Sequence, residues 1–162
     1  MKKILTQERL KEVLRYCPDS GIFTWAINVS NVKAGSRAGS LKRNGYLSIR
    51  VDRVRYSAHR LVFLYTLGRM PPQQVDHING IRNDNRLCNL RECSRSFNMQ
   101  NQKKCTTKST TGFLGVSANR GKFAAFIKVG DESKYLGLFS NPVDAHNAYL
   151  TAKRKYHPGC TI

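Results

Sequence analysis

Acidic residues are scarce: ten Asp plus Glu stand against twenty-eight Lys plus Arg, a formal net charge of +18 over 162 residues. The excess is not confined to a tail. Residues 1–75 hold fourteen basic and four acidic groups, residues 76–105 six and three, and residues 106–162 eight and three. Such a balance argues against a cationic partner and for a polyanion tracked along the whole chain, since neutralising phosphates releases condensed counterions. No apolar run approaches the roughly eighteen residues that cross a bilayer, and the start at Met1 gives way at once to the polar stretch from Thr6 to Arg9. Neither a signal peptide nor a membrane anchor is expected, and the cytoplasm is the expected compartment. The five cysteines, Cys17, Cys88, Cys93, Cys105 and Cys160, are odd in number and scattered. A disulfide framework is therefore not expected. Cys88 and Cys93 could be zinc ligands, but small buried thiols are the preferred reading because no second close pair accompanies them.

What is present is a set of short patterns suited to small modules. Thr6 to Tyr16 reads as an amphipathic helix with Thr6 as N-cap and Leu10, Val13 and Leu14 at helical spacing, stopped by Pro18 to Gly21. Ile22 to Trp25 reads as a strand, and Ala34 to Ser40 as a loop without the lysine a phosphate-binding P-loop requires. Tyr46–Val51 and Arg53–Ser57 alternate at period two as a hairpin around Asp52, and His59 to Leu67 follows as an apolar helix whose first residue caps or packs.

Next comes the segment Val75-Asp76-His77-Ile78-Asn79-Gly80, then Asn89-Leu90-Arg91 and Asn98. One short scaffold here offers a metal ligand, a general base and a second ligand, the grouping that metal-assisted phosphodiester hydrolysis needs. The expected order is strand (Gln74–Ile78), polar loop (Asn79–Arg86), return strand (Asn89–Glu92) and a helix from Ser94 to Lys103. Arg82, Arg86, Arg91 and Arg95 surround it and would most simply hold phosphates.

This order of residues resembles the HNH endonucleases of phage and homing type, whose ββα-metal module it matches over about thirty residues. By position, the resemblance makes His77 the base that activates water, Asp76 the first metal ligand, and Asn89 the residue that ties the loop and helps orient the histidine. Asn98 stands where many members carry histidine. An Asp/Asn oxygen pair favours Mg²⁺ or Mn²⁺ over zinc. Asn101, one helical turn later, is a weaker candidate, with helix-surface polarity as the plainer reading.

Beyond a Thr/Ser-rich linker, three strands (about 113–118, 122–129 and 133–139) and one helix are expected. Phe123, Ala125, Ile127 and Val129 share one face of the middle strand; Lys122, Ala124, Phe126 and Lys128 share the other. Asn141 caps the helix with Pro142 in its first turn, and Ala145, Ala148, Tyr149, Ala152 and Tyr156 recur toward the sheet. His146 and His157 read as surface and helix-end residues. The segments Phe113-Leu114-Gly115-Val116, Gly121-Lys122-Phe123-Ala124-Ala125, Tyr135-Leu136-Gly137-Leu138-Phe139 and Ala145 to Tyr149 resemble the Apetala-two/ethylene-response-factor DNA-binding domain over roughly 111–157. That family lays its sheet in the major groove. By position Arg120, Phe126, Lys128 and Tyr135 replace its Trp, Glu, Arg and Trp, and Leu114 and Ser117 replace arginines, so base preference does not transfer. Lys122, Lys128 and Lys134 are the expected phosphate contacts; Arg120 and Tyr135 are the expected base or sugar contacts.

The expectation is a modular α+β protein: an N-terminal accessory region (1–72), a central ββα-metal HNH module (73–105), a linker (106–111), and a three-stranded antiparallel sheet packed on one helix (112–162). Its function would be metal-dependent hydrolysis of double-stranded DNA, by nicking, with no small-molecule cofactor, as a monomer or weak dimer. A non-catalytic DNA-binding regulator on a silent HNH scaffold is the alternative, and a structured-RNA binder or RNase is a third reading.

Overall fold

The computed structural model describes residues 4–102, 105 and 109–161. Among them lie four helices and four small antiparallel sheets, in two compact units divided between Ser94 and Arg95. The expected linker (106–111) and the expected helix end at Lys103 fall in part outside the described residues.

In the first unit α1 (Gln7–Val13) begins at Thr6, whose hydroxyl accepts from the Arg9 amide. The helix was expected to reach Tyr16. Instead the chain turns extended at Leu14 and forms β1 (Leu14–Cys17) against β2 (Ile22–Trp25), pairing Tyr16 with Phe23. Leu10, Val13 and Leu14 satisfy helical spacing, but Leu14 and Tyr16 also satisfy a strand's period of two; both are buried, and sheet pairing decides between the patterns. Then come β3 (Ser40–Leu41), β4 (Leu47–Val51) and β5 (Val54–Ser57), in the order β3-β4-β5. Asp52 and Arg53 both take positive φ in the β4–β5 turn, as a two-residue hairpin loop demands. Helix α2 (Ala58–Leu67) ends on Gly68 in the left-handed region. Finally β6 (Gln74–His77) pairs with β7 (Leu90–Cys93) through a loop that closes in one 3₁₀ turn, Leu87–Asn89. One apolar core runs through all of this: Leu10, Leu14, Phe23, Ile49, Leu61 and Val62 are buried together with Val75 of β6 and Leu90 of β7.

The second unit opens with α3 (Arg95–Gln100), shorter than expected. Asn101, read as helix-surface polarity, is buried, and its side-chain oxygen accepts from the Thr161 hydroxyl at 2.6 Å. Strands β8 (Val116–Asn119), β9 (Lys122–Val129) and β10 (Glu132–Phe139) form a sheet ordered β10-β9-β8, and α4 (Pro142–Tyr156) starts at Asn141, which caps the Asp144 amide. Val116, Ala125 and Ala145 make its small core, lined by Phe113, Phe123, Leu136, Phe139 and Ala148. His146 is not a surface residue: it is half-buried, lies 5.2 Å from the Phe113 ring, and meets the Leu114 carbonyl through Nδ1 at 3.0 Å. His157 is the C-cap of α4, and its Nε2 meets the Lys128 carbonyl at 2.7 Å.

Candidate active site

The β6–β7 hairpin places Asp76 and His77 at the end of a strand whose neighbours Val75 and Leu90 are anchored in the core. Both polar side chains are themselves buried, Asp76 at 6% and His77 at 3% exposure, so each must find partners inside the protein. Arg91, opposite Asp76 in the strand register, donates from Nε and Nη2 to Asp76 Oδ2 at 2.9 and 2.7 Å. The pair is charge-assisted.

The loop after His77 is held by its own asparagines. Asn89 accepts the Asn79 amide on Oδ1 at 2.9 Å and donates from Nδ2 to the Asp84 carbonyl at 2.8 Å. Asn79 donates to the Asp84 carboxylate at 2.7 Å and accepts the Ile81 amide at 2.8 Å, an Asx turn. Arg86 completes the set by binding the same carboxylate at 2.6 Å. That guanidinium, first among the causes, and the Asn79 donor hold the Asp84 carboxyl down at about 2.

Around the His77 ring the first unit supplies three further side chains. Asn85, 1% exposed, faces Nε2 with its Oδ1 at 3.4 Å. His59 of α2 meets the His77 ring edge-on, 5.3 Å between centroids at 86°, and Tyr46 lies 5.7 Å from it and 5.3 Å from His59. His59 therefore packs, as one of its two expected roles, and Ser57 rather than His59 is the N-cap residue. Burial, then the nearby His77, pushes His59 down to about 4. Burial likewise lowers His77, against the opposing pull of the Asn85 hydrogen bond and the Asp76 and Asp84 charges. Burial thus favours the neutral form of both imidazoles, the state in which one can take a proton.

Of the expected phosphate-binding arginines, Arg82 donates to the Asn44 carbonyl at 2.8 Å and lies over Tyr46 at 5.2 Å, Arg86 is on Asp84 and Arg91 on Asp76. Arg95 and Asn98 belong to α3, in the second unit. There Arg120, Lys122, Lys128, Lys134 and Tyr135 are all exposed; Tyr135 lies 5.3 Å from Phe126, its register partner.

Asp76, in the first unit, is a hard oxygen donor of the kind Mg²⁺ or Mn²⁺ takes, and such an ion also keeps several waters and takes substrate phosphate oxygens. Cys88 is exposed rather than buried, and among the described residues no group of three or more His, Cys, Asp or Glu is placed to hold a metal.

Three residues at the site escaped the sequence reading. Asn85 sits among several Asn and Asp side chains of one polar loop, and nothing in its spacing separates it from them. Tyr46 and Tyr16, which buttress the loop and its histidine, come from strands distant in sequence; Tyr46 is visible only as a position in a period-two pattern, and Tyr16 only as the end of the expected N-terminal helix. No helix among the described residues is long and apolar enough to cross a membrane. Comparison with curated proteins and with solved structures finds no match. A family model described as HNH endonuclease matches residues 56–100, from β5 through α3, and this segment, which carries Asp76, His77, Asn89 and Asn98, supports an HNH endonuclease, a hydrolase acting on DNA.

Proposed function

We propose that this chain is a Mg²⁺- or Mn²⁺-dependent DNA endonuclease that nicks one strand per encounter and draws affinity and site preference from its second unit. The observation that carries the reading is a buried His77 beside the buried carboxylate of Asp76 on a hairpin within the matched segment. His77 takes a proton from water; the water oxygen bonds to phosphorus in line as the bond to the 3′ oxygen breaks. The departing oxygen takes its proton from solvent, and the imidazolium later returns its own to solvent. The resemblance gives 5′-phosphate and 3′-hydroxyl ends. Asp76 would hold the metal from the hairpin, and the resemblance gives Asn98 as the second ligand. When bound, the ion stabilises charge on the scissile phosphate and the leaving oxygen.

Asn89 keeps the loop closed, while Arg82, Arg86 and Arg91 would contact the backbone of bound DNA. The exposed Arg120, Lys122, Lys128, Lys134 and Tyr135 supply the wider DNA contact, in keeping with the resemblance to the Apetala-two/ethylene-response-factor domain. Joining a cutter to a reader raises the effective concentration of DNA at the active site.

The test is cleavage of supercoiled plasmid in Mg²⁺, Mn²⁺ or EDTA, read on native and denaturing gels. Open-circular product that requires metal is expected. Intact plasmid with DNA still bound, including DNA of the cognate genome, would move the reading to a DNA-binding regulator. Linear product from a strict monomer in one encounter would refute nicking.

A further inference from the structure

We propose that Asn85 is the positioning residue for His77: it fixes the ring as the Nε2–H tautomer, so that Nδ1 carries the lone pair that takes the proton. This rests on the endonuclease reading for its chemistry but on geometry for the tautomer. The Asn85 side chain donates from Nδ2 to the Asn83 carbonyl at 3.3 Å, which fixes which end of the amide is which. Its Oδ1 is then the atom facing His77 Nε2 at 3.4 Å. An amide oxygen can only accept, so the nitrogen opposite must carry the hydrogen. The distance is long for such a bond, as catalytic hydrogen bonds often are before substrate tightens them.

The backbone under Asn85 is held from the N-terminal hairpin. Tyr16 of β1 donates its hydroxyl to the Asn85 carbonyl at 2.9 Å and accepts the Leu87 amide at 3.1 Å, clamping both sides of Arg86. Gly21, in the β1–β2 turn at φ +69°, lies so close that a Cβ there would overlap the Arg86 amide nitrogen and the Asn85 carbonyl carbon. His59 and Tyr46 restrict the His77 ring from other directions. The region before the matched segment thus sets the orientation of the base, and Asn89, whose side-chain bonds go to Asn79 and Asp84, closes the loop.

The experiment is a long-range ¹H–¹⁵N correlation spectrum of the full chain with ¹⁵N-histidine near pH 7.5, the His77 signals being assigned by their loss in His77→Gln. It is paired with steady-state nicking by Asn85→Leu and Asn85→Asp. The Nε2–H pattern is expected for His77 in the native chain and in Asn85→Asp, which keeps an acceptor, and its loss in Asn85→Leu. Asn85→Leu should lower kcat by about 10- to 100-fold with KM little changed, as for other residues that orient a catalytic ligand, and Asn85→Asp should restore most of it. An Nδ1–H pattern in the native chain overturns the proposal, as does unchanged kcat in a folded Asn85→Leu. Should Asn85→Leu fail to fold, the native spectrum and Asn85→Asp decide. A native chain that shows the Nε2–H pattern yet cuts no DNA sinks the endonuclease reading while supporting the tautomer.

Discussion

In the first unit the polar side chains of interest are buried and held from several directions: His77 between Asn85, His59 and Tyr46, Asp76 by Arg91, and Asn89 across its loop. In the second unit Arg120, Lys122 and Lys128 are exposed on a small sheet, and Lys134, also exposed, lays its ammonium over the Tyr156 ring of α4 at 4.9 Å. A proton-transfer group must be placed to a fraction of an ångström and kept neutral, which burial and fixed partners achieve. A phosphate contact needs only charge and reach. Within the proposed endonuclease, then, the β6–β7 hairpin would limit the chemical step and the sheet of the second unit the residence of DNA.

The largest effect expected is from His77→Ala, which removes a base and no phosphate contact. Cleavage should fall by about 10²- to 10⁴-fold with DNA affinity within a few-fold; equal loss of both in a gel-shift and nicking pair would make His77 structural. The joint replacement of Lys122, Lys128 and Lys134 by alanine should do the reverse. The slope of log affinity against log salt should shrink by about 2 to 3, with the rate at saturation kept. An unchanged slope would move the DNA contact elsewhere.

Gly21→Ala sharpens the contrast, because it lies far from His77 in sequence yet presses on the Asn85 backbone. A loss of about 1–3 kcal/mol in urea unfolding is expected from the positive φ and the overlap, together with lower kcat. Stability lost with kcat intact would detach the N-terminal hairpin from the site.

The smallest effect is on acid stability. His59 titrates at about 4 when folded and near 6.5 when unfolded, so the unfolded chain binds more protons between those values. Stability should therefore fall as pH drops through that window, the His59 contribution being lost below about 4. Asp84, held at about 2 against an ordinary 3.8, adds a second loss below pH 3.8. Melting temperature against pH checks both, and His59→Phe should flatten the upper window.

The sequence made the hairpin strands, α2, α4 and the sheet of the second unit legible because their apolar residues repeat at one period only. β1 was not, since Leu14 fits a helix and a strand alike and only Phe23, opposite Tyr16, decides. Asp76, His77 and Asn89 could be picked out by order and spacing. The environment of His77 could not: Asn85 looks like any loop asparagine until Tyr16 and Asn83 fix its backbone and amide, and His59 and Tyr46 meet the ring only through the fold.

The most direct test of the division of labour is single-turnover cleavage of supercoiled plasmid at saturating protein in Mg²⁺, run for the native chain, His77→Ala and the triple lysine variant. The account predicts open circles at the native rate from the lysine variant and almost none from His77→Ala. A lysine variant as slow as His77→Ala at saturation would contradict it, by showing that the three-stranded sheet of the second unit takes part in the chemical step itself.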